Sequence, residues 1–122
     1  MDAQRKKELI AQYKQTRPEM GIFMIRCKVN NKYYLEGTQN LRGRMNGAKA
    51  RLAGGLHPYR ELQKEWNQLG EENFTFEVLE NLEYDKEDEA KTDYTDDLAI
   101  LQMEWEEKLG KEGLVPYAKR IN

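Results

Sequence analysis

Cysteine and histidine occur once each, as Cys27 and His57. A single cysteine excludes an internal disulfide. One of each leaves too few ligands for a dedicated zinc site. Cys27 reads as a small buried hydrophobe, with no second histidine to pair with a reactive thiol. No apolar run approaches the roughly 18 residues of a transmembrane helix, so no membrane association is expected. The opening Met1-Asp2-Ala3-Gln4-Arg5-Lys6-Lys7 leads into no apolar stretch and does not read as a signal peptide. A cytoplasmic protein is expected.

What is present points to one folded domain. The 122 residues suit a single modest core. The 2 Trp, 7 Tyr and 3 Phe argue against wholesale disorder. Net charge is −2, but it is split along the chain. Residues 1–70 carry 14 Lys/Arg against 6 Asp/Glu, and residues 71–122 carry 6 against 16. A basic front half can meet phosphates, and two halves of one fold can equally neutralise each other.

Hydrophobic spacing gives the elements. Ala3 to Gln15 reads as a helix capped by Asp2, with Leu9, Ile10 and Tyr13 on one face. Thr16-Arg17-Pro18 ends it. Gly21–Lys28 and Lys32–Thr38 read as strands of a hairpin turning at Asn30-Asn31, since Asn tolerates left-handed backbone. Thr38 or Asn40 can cap a basic helix, Leu41–Leu52, which Gly43 and Gly47 weaken. Pro58–Leu69 reads as a further helix, with Gly70 closing it. Phe74–Leu79 alternates as a strand. Glu80–Asp97 reads as an acidic solvated loop, and Leu98–Leu109 as the last helix with Leu98, Leu101, Trp105 and Leu109 inward. Trp66 and Trp105 are expected in the core. The resulting class is α+β, a small three-stranded antiparallel sheet flanked by helices in the order α-β-β-α-α-β-α. Residues 1–19 form a helical extension and residues 20–122 the domain.

That order carries a set of motifs. Gly21-Ile22-Phe23 resembles the Gly-Ile-Tyr of the GIY-YIG nuclease family, and Tyr34-Leu35-Glu36 resembles its Tyr-Ile-Gly. Asn40-Leu41 followed by Arg44, ten residues past Tyr34, resembles the segment bearing the family's arginine. Leu62–Asn67, Gly70 and Asn73–Phe76 are similar to the single-domain phage and Gram-positive branch. The resemblance covers residues 20–122, and the first helix is an addition to it.

The resemblance implies metal-dependent hydrolysis of DNA phosphodiesters. It implies Tyr34 as the base or water-positioning group, Arg44 as a guanidinium clamp on the phosphate, and His57 assisting proton transfer or contacting phosphate. Arg42, Lys49 and Arg51 would add phosphate contacts. Asn122 resembles the asparagine that closes some members. A last-helix glutamate would hold Mg²⁺ or Mn²⁺. Several positions depart from the pattern. Phe23 replaces a tyrosine, Glu36 a glycine, and Ala48 sits where some members have histidine. Gln102 stands at the metal-binding glutamate, leaving Glu36 or Glu106 as substitute ligands. Strand alternation should place Glu36 beside Tyr34. Glu104 is turned about 200° from residue 102 on a helix and is a poor substitute. Three readings follow. One is an endonuclease, weak or served by a protein partner that supplies specificity. Another is a catalytically inactive scaffold that binds nucleic acid. The third is an interaction module for a protein partner.

Overall fold

Met20–Cys27 forms strand β1, a run in which every residue but Arg26 is buried. A strand apolar on both sides must be covered on both, and the topology of this computed structural model does so. Residues 17–118 are described; the expected helix over 3–15 and Asn122 lie outside them. Strand β2 (Lys32–Thr38) pairs antiparallel with β1 through a turn in which Asn31 adopts φ 59°. Helix α1 (Leu41–Gly54) and helix α2 (Arg60–Leu69) follow. Strand β3 (Phe74–Leu82) pairs antiparallel on the other side of β1, with a bulge at Ile22/Phe23. Helix α3 (Thr95–Lys111) precedes a two-residue strand, β4 (Val115–Pro116).

The side chains of β1 divide by parity. Phe23, Ile25 and Cys27 pack with Tyr34, Leu41, Leu52 and Leu62 under α1 and α2. Ile22 and Met24 pack with Tyr33, Leu35 and Leu109 under α3. The sheet therefore lies between two helical layers.

The sheet differs from expectation. It has four strands in the order β3-β1-β2-β4, and β4 runs parallel to β2, so it is mixed rather than three-stranded and antiparallel. Gly113 at φ 87° turns the chain after α3. Val115 N–H then reaches the Asn31 carbonyl at 3.3 Å, and Tyr117 N–H the Tyr33 carbonyl at 2.8 Å. Two residues are too few to show alternation, and Pro116 is tolerated because β4 is an edge. The acidic loop is also shorter than expected. β3 extends to Leu82, and Tyr94 is 2% exposed in a small cluster with Met20 and Leu98. Trp66 and Trp105 are half-buried, and Trp105 Nε1–H donates to Glu80 at 2.8 Å. No described helix is long and apolar enough to cross a membrane.

Gly21 opens the first motif for a steric reason. A Cβ there would lie 2.0 Å from the Glu80 carbonyl oxygen of β3. Neither strand can yield without breaking the ladder, so Gly21→Ala should cost about 2–4 kcal/mol. Urea unfolding that shows the variant as stable as the native chain would refute this account.

Candidate active site

Period-2 alternation along β2 turns Tyr34 and Glu36 to the same side, and the Tyr34 hydroxyl donates to Glu36 Oε1. The connection to α1 is tightly closed. Thr38 Oγ1 accepts from Asn40 N–H, and Asn40 Oδ1 accepts from Gly43 N–H, each at 3.0 Å. A Cβ on Gly43 would sit 2.5 Å from the Asn40 side chain, so the glycine that weakens the helix also makes room for its cap. Starting α1 here sends Arg44, in its first turn, back over β2. Its Nε donates to Glu36 Oε2 at 2.6 Å and its Nη2 to Glu36 Oε1 at 3.1 Å. This is a two-pronged fork on one carboxylate.

These contacts set the proton affinities. Burial, then the hydrogen bond to Glu36, raises the Tyr34 hydroxyl well above the ordinary tyrosine range. The bond to Glu36 also raises Arg44. As arranged, Tyr34 is a hydrogen-bond donor to Glu36 and not a phenolate.

Gln102 lies on the other flank. Its Oε1 accepts from Gly37 N–H at 3.1 Å, and its Nε2 donates to the Leu35 carbonyl at 3.5 Å and to Glu106 Oε1 at 3.2 Å. β4 covers only Lys32 and Tyr33, so the edge of β2 beyond them is open. The Gln102 amide, both donor and acceptor, closes that edge as a neighbouring strand would. A carboxylate there could accept from Gly37 but not donate to Leu35. Glu36, Gly37, Thr38, Arg44, Thr95 and Gln102 line a cleft of about 430 Å³. The end of the acidic segment borders it, held by Gln39, which donates to the Thr92 carbonyl and accepts from Tyr94 N–H.

His57 sits behind Tyr34, with ring centroids 5.1 Å apart, edge to face. Its Nδ1 accepts from Tyr59 N–H at 3.1 Å, serving the entry to α2, and it faces a separate depression beside Gln63 and Lys64. Burial, then the charge of Arg51, lowers its pKa to about 4.

The basic residues of α1 are not gathered at the cleft. At about 100° per residue, Arg51 shares the Arg44 face while Arg42 points away and is exposed. Lys49 lies over the Phe76 ring of β3, 4.9 Å from its centroid.

The cleft offers a divalent cation few ligands. Among the described residues no group of three His, Cys, Asp or Glu is placed to hold a metal. Glu36 is the charged oxygen donor in the cleft, and Gln102 is neutral and engaged. Such a set fits an ion that keeps most of its water, the usual habit of Mg²⁺, and not a preformed cage.

The backbone settles the fold. A search of solved structures finds the catalytic domain of the homing endonuclease I-TevI at TM-score 0.62 and 24% identity, over 81% of this chain and 98% of that one. A mutant of the same intron endonuclease domain gives 0.61 and 24%, over 84% and 97%. This is the GIY-YIG nuclease fold. No protein-family model and no curated protein matches the sequence.

Two further residues, given no role by the sequence, buttress the site. Tyr59 packs edge-on against Tyr34 at 4.8 Å. Buried Gln63 accepts from His57 N–H and donates to the Leu52 carbonyl, each at 3.0 Å. Gln63 falls inside the Leu62–Asn67 motif, but helix spacing draws attention to its apolar neighbours and passes over a buried amide.

The lowered His57 pKa has a defined sign. The unfolded chain takes up the proton near pH 6.5 and the folded chain near pH 4, so stability is complete above 6.5 and falls as pH drops between these values. The loss totals roughly 3 kcal/mol. Because the chain has one histidine, proton NMR of its single imidazole should show no titration above about pH 5. A midpoint near 6.5 would show that the ring is hydrated.

Proposed function

We propose that this chain is a DNA endonuclease of the GIY-YIG type, hydrolysing a phosphodiester at the cleft between β2, the start of α1 and α3. The observation that carries the reading is one hydrogen-bonded set in which Glu36 and Arg44 line an open cleft and buried Tyr34 backs Glu36. A guanidinium fork matches two non-bridging phosphate oxygens and is worth most where negative charge grows during attack.

With the phosphate on Arg44, the Glu36 carboxylate becomes the proton acceptor for an attacking water. The water's proton passes to Glu36 and its oxygen bonds to phosphorus. The bond to the leaving sugar oxygen breaks, and that oxygen is protonated from solvent. Tyr34, with its raised proton affinity, orients by donating a hydrogen bond. His57, neutral at pH 7, buttresses the Tyr34 ring. Mg²⁺ or Mn²⁺ belongs to the proposal through Glu36, with Glu106 as the neighbouring acid on α3, and would stabilise charge on the phosphoryl oxygens. Arg51 extends the phosphate track from Arg44, and a protein partner would supply sequence choice.

Supercoiled plasmid incubated with the pure protein in Mg²⁺, Mn²⁺ or EDTA tests the reading. Nicking in a divalent metal should fall about 10²–10³-fold in Arg44→Ala and be abolished in Glu36→Gln. Cleavage indifferent to both changes would place it elsewhere. Retention of DNA with no cleavage in either metal would leave an inactive nucleic-acid-binding scaffold.

A further inference from the structure

The groups that should receive a phosphate already hold a carboxylate. Both prongs of Arg44 and the Tyr34 hydroxyl end on Glu36. A carboxylate and a phosphate offer a guanidinium a like pair of acceptor oxygens, so a phosphate that takes the Nε–Nη2 edge of Arg44 must displace Glu36 from it. The exposures are unequal in a telling way. The Arg44 side chain is 44% exposed and that of Glu36 16%. The fork is therefore reachable from the cleft while its present partner lies beneath it. Partly exposed ion pairs are weak, and a phosphate held by two prongs can displace this one.

We propose that Glu36 is an internal stand-in for the substrate phosphate: nucleic acid binds by displacing its carboxylate from Arg44 and Tyr34, so the site is self-occupied until a phosphodiester arrives. The inference deepens the nuclease reading and rests on it. It explains why a glutamate stands at a motif position where the family has glycine. The same side chain that closes the empty site is released next to the phosphate when the site fills, and only then has free oxygens.

Binding alone, measured in EDTA, tests the gate separately from cleavage. The probe is a short fluorescein-labelled DNA duplex read by anisotropy at fixed salt. Glu36→Gln and Glu36→Gly should each bind about tenfold tighter than the native chain. Glu77→Gln removes the same charge from the exposed face of β3 and should change affinity by less than about twofold. Adding Arg44→Ala to Glu36→Gln should erase the gain. Arg44 keeps contact with water when Glu36 is neutral, so these variants should fold, and Glu36→Gly provides a second route if one does not. Equal gains from Glu36→Gln and Glu77→Gln, or a gain that survives loss of Arg44, would overturn the gate and leave the nuclease reading standing. Failure of every Glu36 variant to bind DNA would overturn both.

Discussion

Because β1 lies between two strands and between two helical layers, the chain has little freedom in how it builds the rest. Ile22 and Met24 commit one face to α3, and Phe23, Ile25 and Cys27 commit the other to α1 and α2. β2 inherits that division through its register with β1. Tyr33 and Leu35 must face α3, so Tyr34 and Glu36 must face α1. Burial of a central strand thus decides which side chains meet Arg44. Gly21 belongs to the same constraint, since β3 approaches β1 closely enough there to forbid any side chain.

The polar chemistry is arranged around one carboxylate. Glu36 takes the Arg44 fork and the Tyr34 hydroxyl together. The buried phenol is thereby matched, where an unpaired polar group costs roughly 1–3 kcal/mol, and the guanidinium is paired at the cleft mouth. On the far flank Gln102 spends both halves of its amide on the open edge of β2. Positions 36 and 102 therefore divide between them work that one acidic residue does not do in this chain: charge at the cleft comes from β2, and closure of the strand edge comes from α3.

What could be read without coordinates follows from how local each interaction is. The hairpin, the Asn40 cap and the Tyr34–Glu36 pairing depend on residues a few positions apart, and strand alternation or capping rules reach them. The direction of Arg44 was accessible only as a motif spacing, because it follows from where the cap starts α1. β4 escaped because two residues carry no period. Gln102 was visible as a departure, yet its partners are main-chain groups of a strand more than sixty residues earlier, and no side-chain pattern announces a backbone acceptor. The charge asymmetry suggested a basic face. Lys49, spent on the Phe76 ring, and Arg42, on the outer side of α1, show that a count of charges says nothing of their direction.

The amide at position 102 and the acid at position 36 are best understood as linked. An unpaired stretch of β2 needs a donor and an acceptor from α3, and an amide supplies both where a carboxylate supplies one. With the last helix committed to that task, charge for the proposed phosphate chemistry must come from elsewhere. The cleft-facing position next available on β2 is residue 36, two beyond Tyr34 and on the same face. Placing an acid there has an electrostatic consequence that glycine would not have: it neutralises the arginine beside it whenever no stronger anion is present. On the proposed reading the site favours ligands that grip a guanidinium with two oxygens, and a single weakly held anion has little to gain from entering.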